Sequence, residues 1–375
     1  MSPARRQALL RIAQFTALPA AWPLTGARAQ GVQRGQVLTF PRDHGAHPET
    51  RTEWWYATGW LGSAEQPTHG FQLTFFRSRT GLAQGNASRF AARQLLFAHA
   101  AVTVLTNGQD PAGRPGQHLH EQRIARWSGD PDAALGAARR DGGAVKLQGW
   151  SLRDAGSAWQ ARLPSRDFGL DLQLTRTQPL LLQGDAGYSR KGPDEAQASH
   201  YVSEPQLAPR GSVTVQGRRV EARAGQAWMD HEWSDQILHP QAVGWDWIGI
   251  NLFDGSALTA FVLRRADGST LWAGGSWRRA GQAVQAFAPD AVHFSPGRRW
   301  RSPSSAAHYP VEWTLETPAG GFALRALLDA QELDGRGSTG TVYWEGLSEL
   351  LDSQGRRVGL GYLEMTGYAG RLVLG

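Results

Sequence analysis

The fold class predicted by this sequence is all-β, a barrel or sandwich of many short strands. Three observations carry the prediction. Forty-five glycines and 20 prolines punctuate 375 residues, a density that helices tolerate poorly and turn-linked strands tolerate well. The runs between them alternate apolar and polar residues, as half-buried strands do. Sixteen tryptophans offer more apolar bulk than a packed sandwich core needs and would suit a barrel with an interior pocket for an apolar ligand.

The chain opens with Arg5-Arg6, a modestly apolar stretch over about 12–24, and Ala27-Arg28-Ala29, a small-x-small cleavage pattern. This is the layout of a signal peptide over 1–29. The arginine pair resembles a twin-arginine leader, which exports folded proteins, although Ala4 and Ala8 stand where a hydroxyl residue and Phe are usual. The expected location is periplasmic or secreted. Next, Phe71, Leu73 and Phe75 share one face of a strand. Residues 87–97 are a helix candidate, and 107–145 read as a long polar loop. Phe168, Leu170, Leu172 and Leu174 share one side of a further strand. The Pro-rich run 204–211 is the best boundary, dividing a first unit, 32–207, from a second, 208–375. Alternation resumes at 212–216 and again at 258–264, and Asp254-Gly255 and Asp267-Gly268 are turn signals. Residues 286–310 read as a loop and 346–351 as a short turn at best.

Composition narrows function. No cysteine is present, which excludes disulfides, thiolate metal sites and a cysteine nucleophile. No apolar run approaches the roughly 20 residues of a spanning helix. The net charge of +6 comes largely from four arginines in residues 1–30. Beyond them 35 bases face 33 acids, and pairs such as Arg218-Arg219 and Arg298-Arg299 read as solvated turns. The basic face expected of a nucleic-acid binder is missing. No Gly-x-Ser-x-Gly elbow and no phosphate-cradling glycine loop occurs.

Four blocks are distinctive: Glu53-Trp54-Trp55-Tyr56-Ala57-Thr58-Gly59-Trp60-Leu61; Tyr188 to Ser203, with Ser199-His200-Tyr201; Trp228-Met229-Asp230-His231-Glu232-Trp233 followed by Trp245-Asp246-Trp247; and Gly361-Tyr362-Leu363-Glu364-Met365-Thr366-Gly367. Together, over about 35–375, they resemble the AttH/CrtC family of lipocalin-like proteins, which includes predicted secreted hydrolases and is related to carotenoid 1,2-hydratases. The resemblance implies two tandem lipocalin-like β-barrels. It also implies an envelope setting, with an ABC transporter permease as a possible partner. No cofactor is implied.

The segment 228–235 is the sharpest site candidate. As a strand it turns Met229, His231, Trp233 and Asp235 one way and Trp228, Asp230, Glu232 and Ser234 the other. A histidine beside tryptophan can serve as a general acid, with an adjacent carboxylate such as Asp230 setting its tautomer. The resemblance to carotenoid hydratases points to His231 and Trp233 as catalytic residues that protonate an alkene, the cation being stabilised by aromatic faces. The Tyr and Asp those enzymes carry on a following strand have no counterpart in 258–263, which weighs against that activity. The alternative is a buried structural network around His231 and Asp230. The ligand pocket is expected around His231, Trp233, Trp245 and Trp247, with Tyr201, His200 and Trp55 as further contacts. No metal is expected. His231 to Asp235 falls one residue short of His-Glu-x-x-His and lies on a strand, though His200 and His239 could join His231 in space. Glu53 would pair with an arginine, Arg190 being one option. His44 and His47 are expected to be solvated.

The reading is an exported protein that binds an apolar or lipid-like ligand. Two alternatives stand beside it: a hydratase or hydrolase using His231 as acid and base, and an envelope partner of a permease.

Overall fold

The computed structural model describes residues 31–372 apart from 83–84, 89, 106–115, 129, 131–135 and 237. The expected leader lies outside the described residues. Among them there is no α-helix, only 3-10 turns at Arg42–His44 and Pro289–Ala291.

Fourteen strands build a first antiparallel sheet. They are β1 (Thr52–Gly62), β2 (Pro67–Arg79), β3 (Gln94–Val104), β4 (Gln117–Trp127), β5 (Gly136–Ala138), β6 (Ala144–Leu147), β7 (Trp150–Asp154), β8 (Ala158–Pro164), β9 (Phe168–Thr175), β10 (Leu181–Leu182), β11 (Tyr188–Arg190), β12 (Ala198–Val215), β13 (Arg218–Ala222) and β14 (Gly225–Ser234). Their order is β4-β3-β2-β1-β14-β12-β9-β8-β7-β6-β5, with β10, β11 and β13 also on β12. β4 returns against β5 and β6, so the sheet nearly closes. The second sheet takes β15 (Gly244–Leu252), β16 (Ala257–Arg264), β17 (Thr270–Arg278), β18 (Gln285–Ala286) and β19 (His293–Pro296). A separate ribbon of β20 (Arg299–Arg301) and β21 (His308–Pro310) follows. The second sheet is completed by β22 (Glu312–Thr317), β23 (Gly320–Ala326), β24 (Glu332–Gly335), β25 (Thr341–Leu351) and β26 (Arg357–Met365), in the order β18-β17-β16-β15-β26-β25-β23-β22-β19 with β24 on β25.

Alternation decides which face each strand buries. Along β9 the four apolar residues at 168, 170, 172 and 174 are buried and join the core of the first sheet. The two Asp-Gly signals turn between β15, β16 and β17, with Gly255 at φ +84° and Gly268 at φ +85°, where a residue without Cβ is favoured. Tryptophan fills the interiors. Trp55, Trp127, Trp150 and Trp159 pack inside the first barrel, and Trp313 and Trp344 inside the second. A third cluster, with Trp60, Trp228, Trp247 and Tyr362, packs one sheet against the other.

Several expectations are corrected. The helix candidate at 87–97 contributes to β3, where Leu96 and Ala98 enter the core and β2 and β4 bond to either side. Residues 346–351 lie within β25, and the expected loops at 107–145 and 286–310 carry β4 to β6 and β19 to β21. The Pro-rich run is no break in the chain. It lies inside the 18-residue β12, at an irregularity between Glu204 and Leu207, where the strand passes from pairing with β14 to pairing with β9 and β13. Proline is tolerated at such a bulge. The 207/208 division therefore falls within a strand of the first sheet, which runs on to Ser234.

Candidate functional site

β14 divides two environments. Its odd-numbered residues Met229, His231 and Trp233 turn toward the first barrel's interior, while Trp228, Asp230 and Glu232 face the second sheet.

On the interior side a buried ion network closes the barrel's end. Glu53 sits directly opposite Arg77 in the β1–β2 register, and Arg77 Nε donates to Glu53 Oε2 at 2.7 Å. Arg77 also donates to the Thr50 carbonyl, Gln94 Oε1 and the His47 carbonyl. His47 Nδ1 lies 2.8 Å from Glu53 Oε1, and His231 Nε2 lies 3.0 Å from the same oxygen. Burial opposes ionisation of Glu53, but the Arg77 charge and the two histidines outweigh it and hold its carboxyl well below the usual range. Burial also opposes charge on His47, yet its bonds to Asp43 and Glu53 hold the imidazolium up to about 9. Burial pushes His231 down to about 4, against the pull of Glu53. His231 is therefore neutral at pH 7, stacked on Trp55 with centroids 4.8 Å apart, and His47 stacks on Trp233 at 3.8 Å. His200 lies nearby, its ring 5.5 Å from Trp233. One ligand atom from each of His47, Glu53 and His231 falls within 4.8 Å of the others. A cation placed there would displace two N–H donors and sit beside the Arg77 guanidinium, so the arrangement is satisfied as a hydrogen-bonded network.

Two expectations change at this point. Glu53 pairs with Arg77, while Arg190 donates to the Gly192 carbonyl and lies over Trp272. His44 and His47 are not solvated: His44 is buried beside Trp159, and His47 belongs to the network. His239 accepts from the Gln241 backbone N–H and does not join His231.

On the other side, a cavity of about 310 Å³ opens between the sheets. Its walls are aromatic, with Trp54, Tyr56 and Phe97 from the first sheet and Trp245, Trp247 and Phe261 from the second. Five carboxyl residues line it: Glu53, whose oxygens the network holds, and Asp230, Glu232, Glu345 and Glu364. Glu232 is paired, with Lys191 Nζ at 2.9 Å and the Ser199 hydroxyl donating to it. Asp230 has no cation partner among the described residues. It accepts from Tyr201 Oη at 2.7 Å, Ser203 Oγ at 2.6 Å and Trp228 Nε1 at 2.7 Å, and Trp247 Nε1 donates to Tyr201 Oη at 3.0 Å. Burial pushes the Asp230 carboxyl up to about 7, despite those three donors. Glu345 and Glu364 face each other across β25 and β26. Burial and each other's charge raise Glu345 well above the usual range, and burial carries Glu364 to about 7. Tyr56 lies against Glu345 there, and its hydroxyl counters part of the rise in the Glu345 carboxyl.

The expected single pocket is thus two places. Asp230, Tyr201, Trp245 and Trp247 line the cavity, whereas His231, Trp233, Trp55 and His200 lie across β14 from it. Sequence reasoning gave no role to Tyr56, Glu345 or Glu364. The available signal was a lone carboxyl inside an apolar run, Val342-Tyr343-Trp344-Glu345 and Tyr362-Leu363-Glu364-Met365, since a buried acid needs a reason.

Fold and site together define a two-barrel lipocalin-like protein with an acid-bearing aromatic cavity between the barrels. The chain belongs to the AttH-like family, whose model matches residues 31–368. A solved Nitrosomonas europaea structure assigned to AttH is 44% identical, with a TM-score of 0.79, over 90% of this chain and 99% of that one. Kievitone hydratase from Nectria haematococca shares the fold at 15% identity and a TM-score of 0.63, over 91% of this chain and 95% of that one. CghA with Sch210972 does so at 14% and 0.50, over 88% and 90%. Among curated proteins, none matches the chain in sequence.

Proposed function

We propose that this protein binds an apolar, lipid-like ligand in the cavity between its sheets and acts on it as a hydratase-type acid–base catalyst. The proposal includes export to the periplasm, which rests on the N-terminal layout. The observation that carries the reading is Asp230, a buried carboxyl held by three neutral donors and no cation on an aromatic cavity wall. Such a group is a neutral acid up to about pH 7 and can hand its proton to a substrate double bond. Tyr201, bonded to Asp230, holds the carboxyl in place. The cationic carbon that results is stabilised by the faces of Trp54, Trp245 and Trp247. Water adds to that carbon and its spare proton returns to the Asp230 carboxylate, so one water is added overall and the acid is regenerated. His231, neutral at pH 7 and across the strand, supports the wall without meeting the ligand. The fold shared with a hydratase supports this reading.

The test begins with solvent extraction of the purified protein and mass spectrometry of what is released, alongside binding of N-phenyl-1-naphthylamine, a neutral apolar fluorophore. Incubation in heavy water with the extracted compound should add one D₂O. Asp230→Asn should slow that addition by about 10²–10⁴-fold with fluorophore affinity nearly unchanged. Absence of any extractable apolar compound together with no fluorophore binding would sink the ligand reading. Unchanged conversion by Asp230→Asn would sink the assignment of the acid.

A further inference from the structure

We infer that the outer face of the first barrel carries a second site, a groove for a multiply charged phosphate-bearing group. A concavity of about 640 Å³ crosses β6 to β9 and the adjoining part of β12. Its charged lining is Arg139, Lys146, Arg153, Arg162, Arg210 and Arg219, against Asp171 as its one carboxylate. Nothing in the linear sequence marks this: beyond residue 30 the chain has only two more bases than acids. The sheet register gathers the cations. One cross-strand row runs Lys146, Ser151, Arg162, Asp171, and the next runs Arg153, Gln160, Gln173, Arg210. Arg153 therefore lies diagonal to both Lys146 and Arg162, where side chains are about 7–8 Å apart.

Two of the six cations are answered at the rim, Arg139 by Asp141 and Arg219 by Glu221. Among the described residues Arg153 donates only to the neutral Gln160 side chain, and Arg210 to the Pro209 carbonyl. Lys146 and Arg162 have no hydrogen-bond or ion-pair partner among the described residues. Like charges gathered on one sheet face cost stability, and Asp171, opposite Arg162, is the one lining carboxylate that offsets that cost. The inner face of the same strands packs Leu147, Leu152, Leu170 and Leu172 into the barrel core, so this groove and the cavity between the sheets are separate sites. Guanidinium groups match phosphate oxygens in paired, planar contacts. Four cations with no carboxylate bonded to them among the described residues, around one concavity, fit a group bearing more than one negative charge, either a soluble polyphosphate or a doubly charged phospholipid headgroup.

Calorimetric titration with inorganic pyrophosphate, and flotation with equimolar cardiolipin–phosphatidylcholine vesicles against pure phosphatidylcholine, separate the two sources. Binding is expected at about 20 mM salt and should weaken at about 300 mM, where screening is strong. Uptake of pyrophosphate alone identifies a soluble phosphate ligand, and flotation alone a headgroup. The doubly reversed variant R153E/R162E, changed only at exposed positions, should lose at least about tenfold in affinity while keeping its melting temperature and its fluorophore binding. R162Q, which introduces no negative charge, should show a smaller loss in the same direction. No binding of either probe at low salt, or R153E/R162E binding like the parent, overturns the inference.

Discussion

At Glu53 one buried carboxylate gathers nitrogen donors from three residues, four atoms in all, and the order of their strengths sets how the barrel end responds to pH. Arg77 is the partner that makes ionisation affordable, because it is itself fully buried and bonded on every side. His47 carries the titration. Its imidazolium is favoured in the folded state up to about pH 9, against about 6.5 in the unfolded chain. Its stabilisation is therefore complete below about pH 6.5 and lost as pH rises toward 9. Its size is about 3 kcal/mol. His47→Gln should thus be less stable than the parent at pH 6, and the gap should close by about pH 9, as read by urea unfolding across that range. A gap that stays constant with pH would show that His47 acts by packing alone. The pairing was partly legible: a glutamate opening an aromatic strand needs a cation, but choosing Arg77 over Arg190 required the hairpin register, which a sequence does not display.

Strands were read well where one face meets a core and the other meets solvent, as in β9. They were missed where both faces are covered or where composition misleads. Residues 91–97, Ala-Ala-Arg-Gln-Leu-Leu-Phe, favour helix locally, yet hydrogen bonds from β2 and β4 on either side outweigh propensity. Turns and bulges rest on a few glycines. Gly225 opens β14 at φ +138°, and a Cβ there would lie 1.9 Å from the Trp60 carbonyl oxygen. Gly217, in the turn between β12 and β13, has φ +79° with open space around it. Gly217→Ala should therefore cost about 1 kcal/mol, the left-handed backbone penalty alone. Gly225→Ala should cost at least about 2 kcal/mol more, because backbone must shift. Chemical denaturation of the two variants checks the ranking, and equal losses would contradict it.

Taken whole, the molecule packs tryptophan inside both barrels and opens a cavity between its two sheets. The tryptophans expected to surround a ligand inside a barrel fill it instead, and the cavity forms where the two sheets meet. Asn251, on β15, ties that seam: its amide donates to the Ala227 carbonyl and its oxygen accepts from the Gln206 backbone N–H. The cavity's acids give the seam a pH dependence. Burial raises Asp230 and Glu364 to about 7, so the folded state holds protons that the unfolded chain releases near pH 4. Their contribution to stability is present below about pH 4 and declines as pH climbs through 7. Ionisation also makes the cavity a poorer host for neutral apolar molecules. Fluorophore affinity should therefore fall between about pH 6 and 8. Asp230→Asn should flatten part of that fall, and a level profile in the parent would count against neutral carboxyls in the cavity.

Local patterns were enough to establish an all-β chain, its turn glycines, the two-faced strand over 228–234, with Asp235 falling just past its end, and the family. These follow from alternation and from short strings of residues, which are properties of neighbours in sequence. The partition of that strand's two faces between a closed network and an open cavity was not local. Nor were the pairing of Glu53 with Arg77, the meeting of Asp230 with Glu345 and Glu364 more than a hundred residues away, or the gathering of basic residues on one outer face. Each depends on strand register and on how one sheet lies against the other, and only long-range hydrogen bonding and packing decide those.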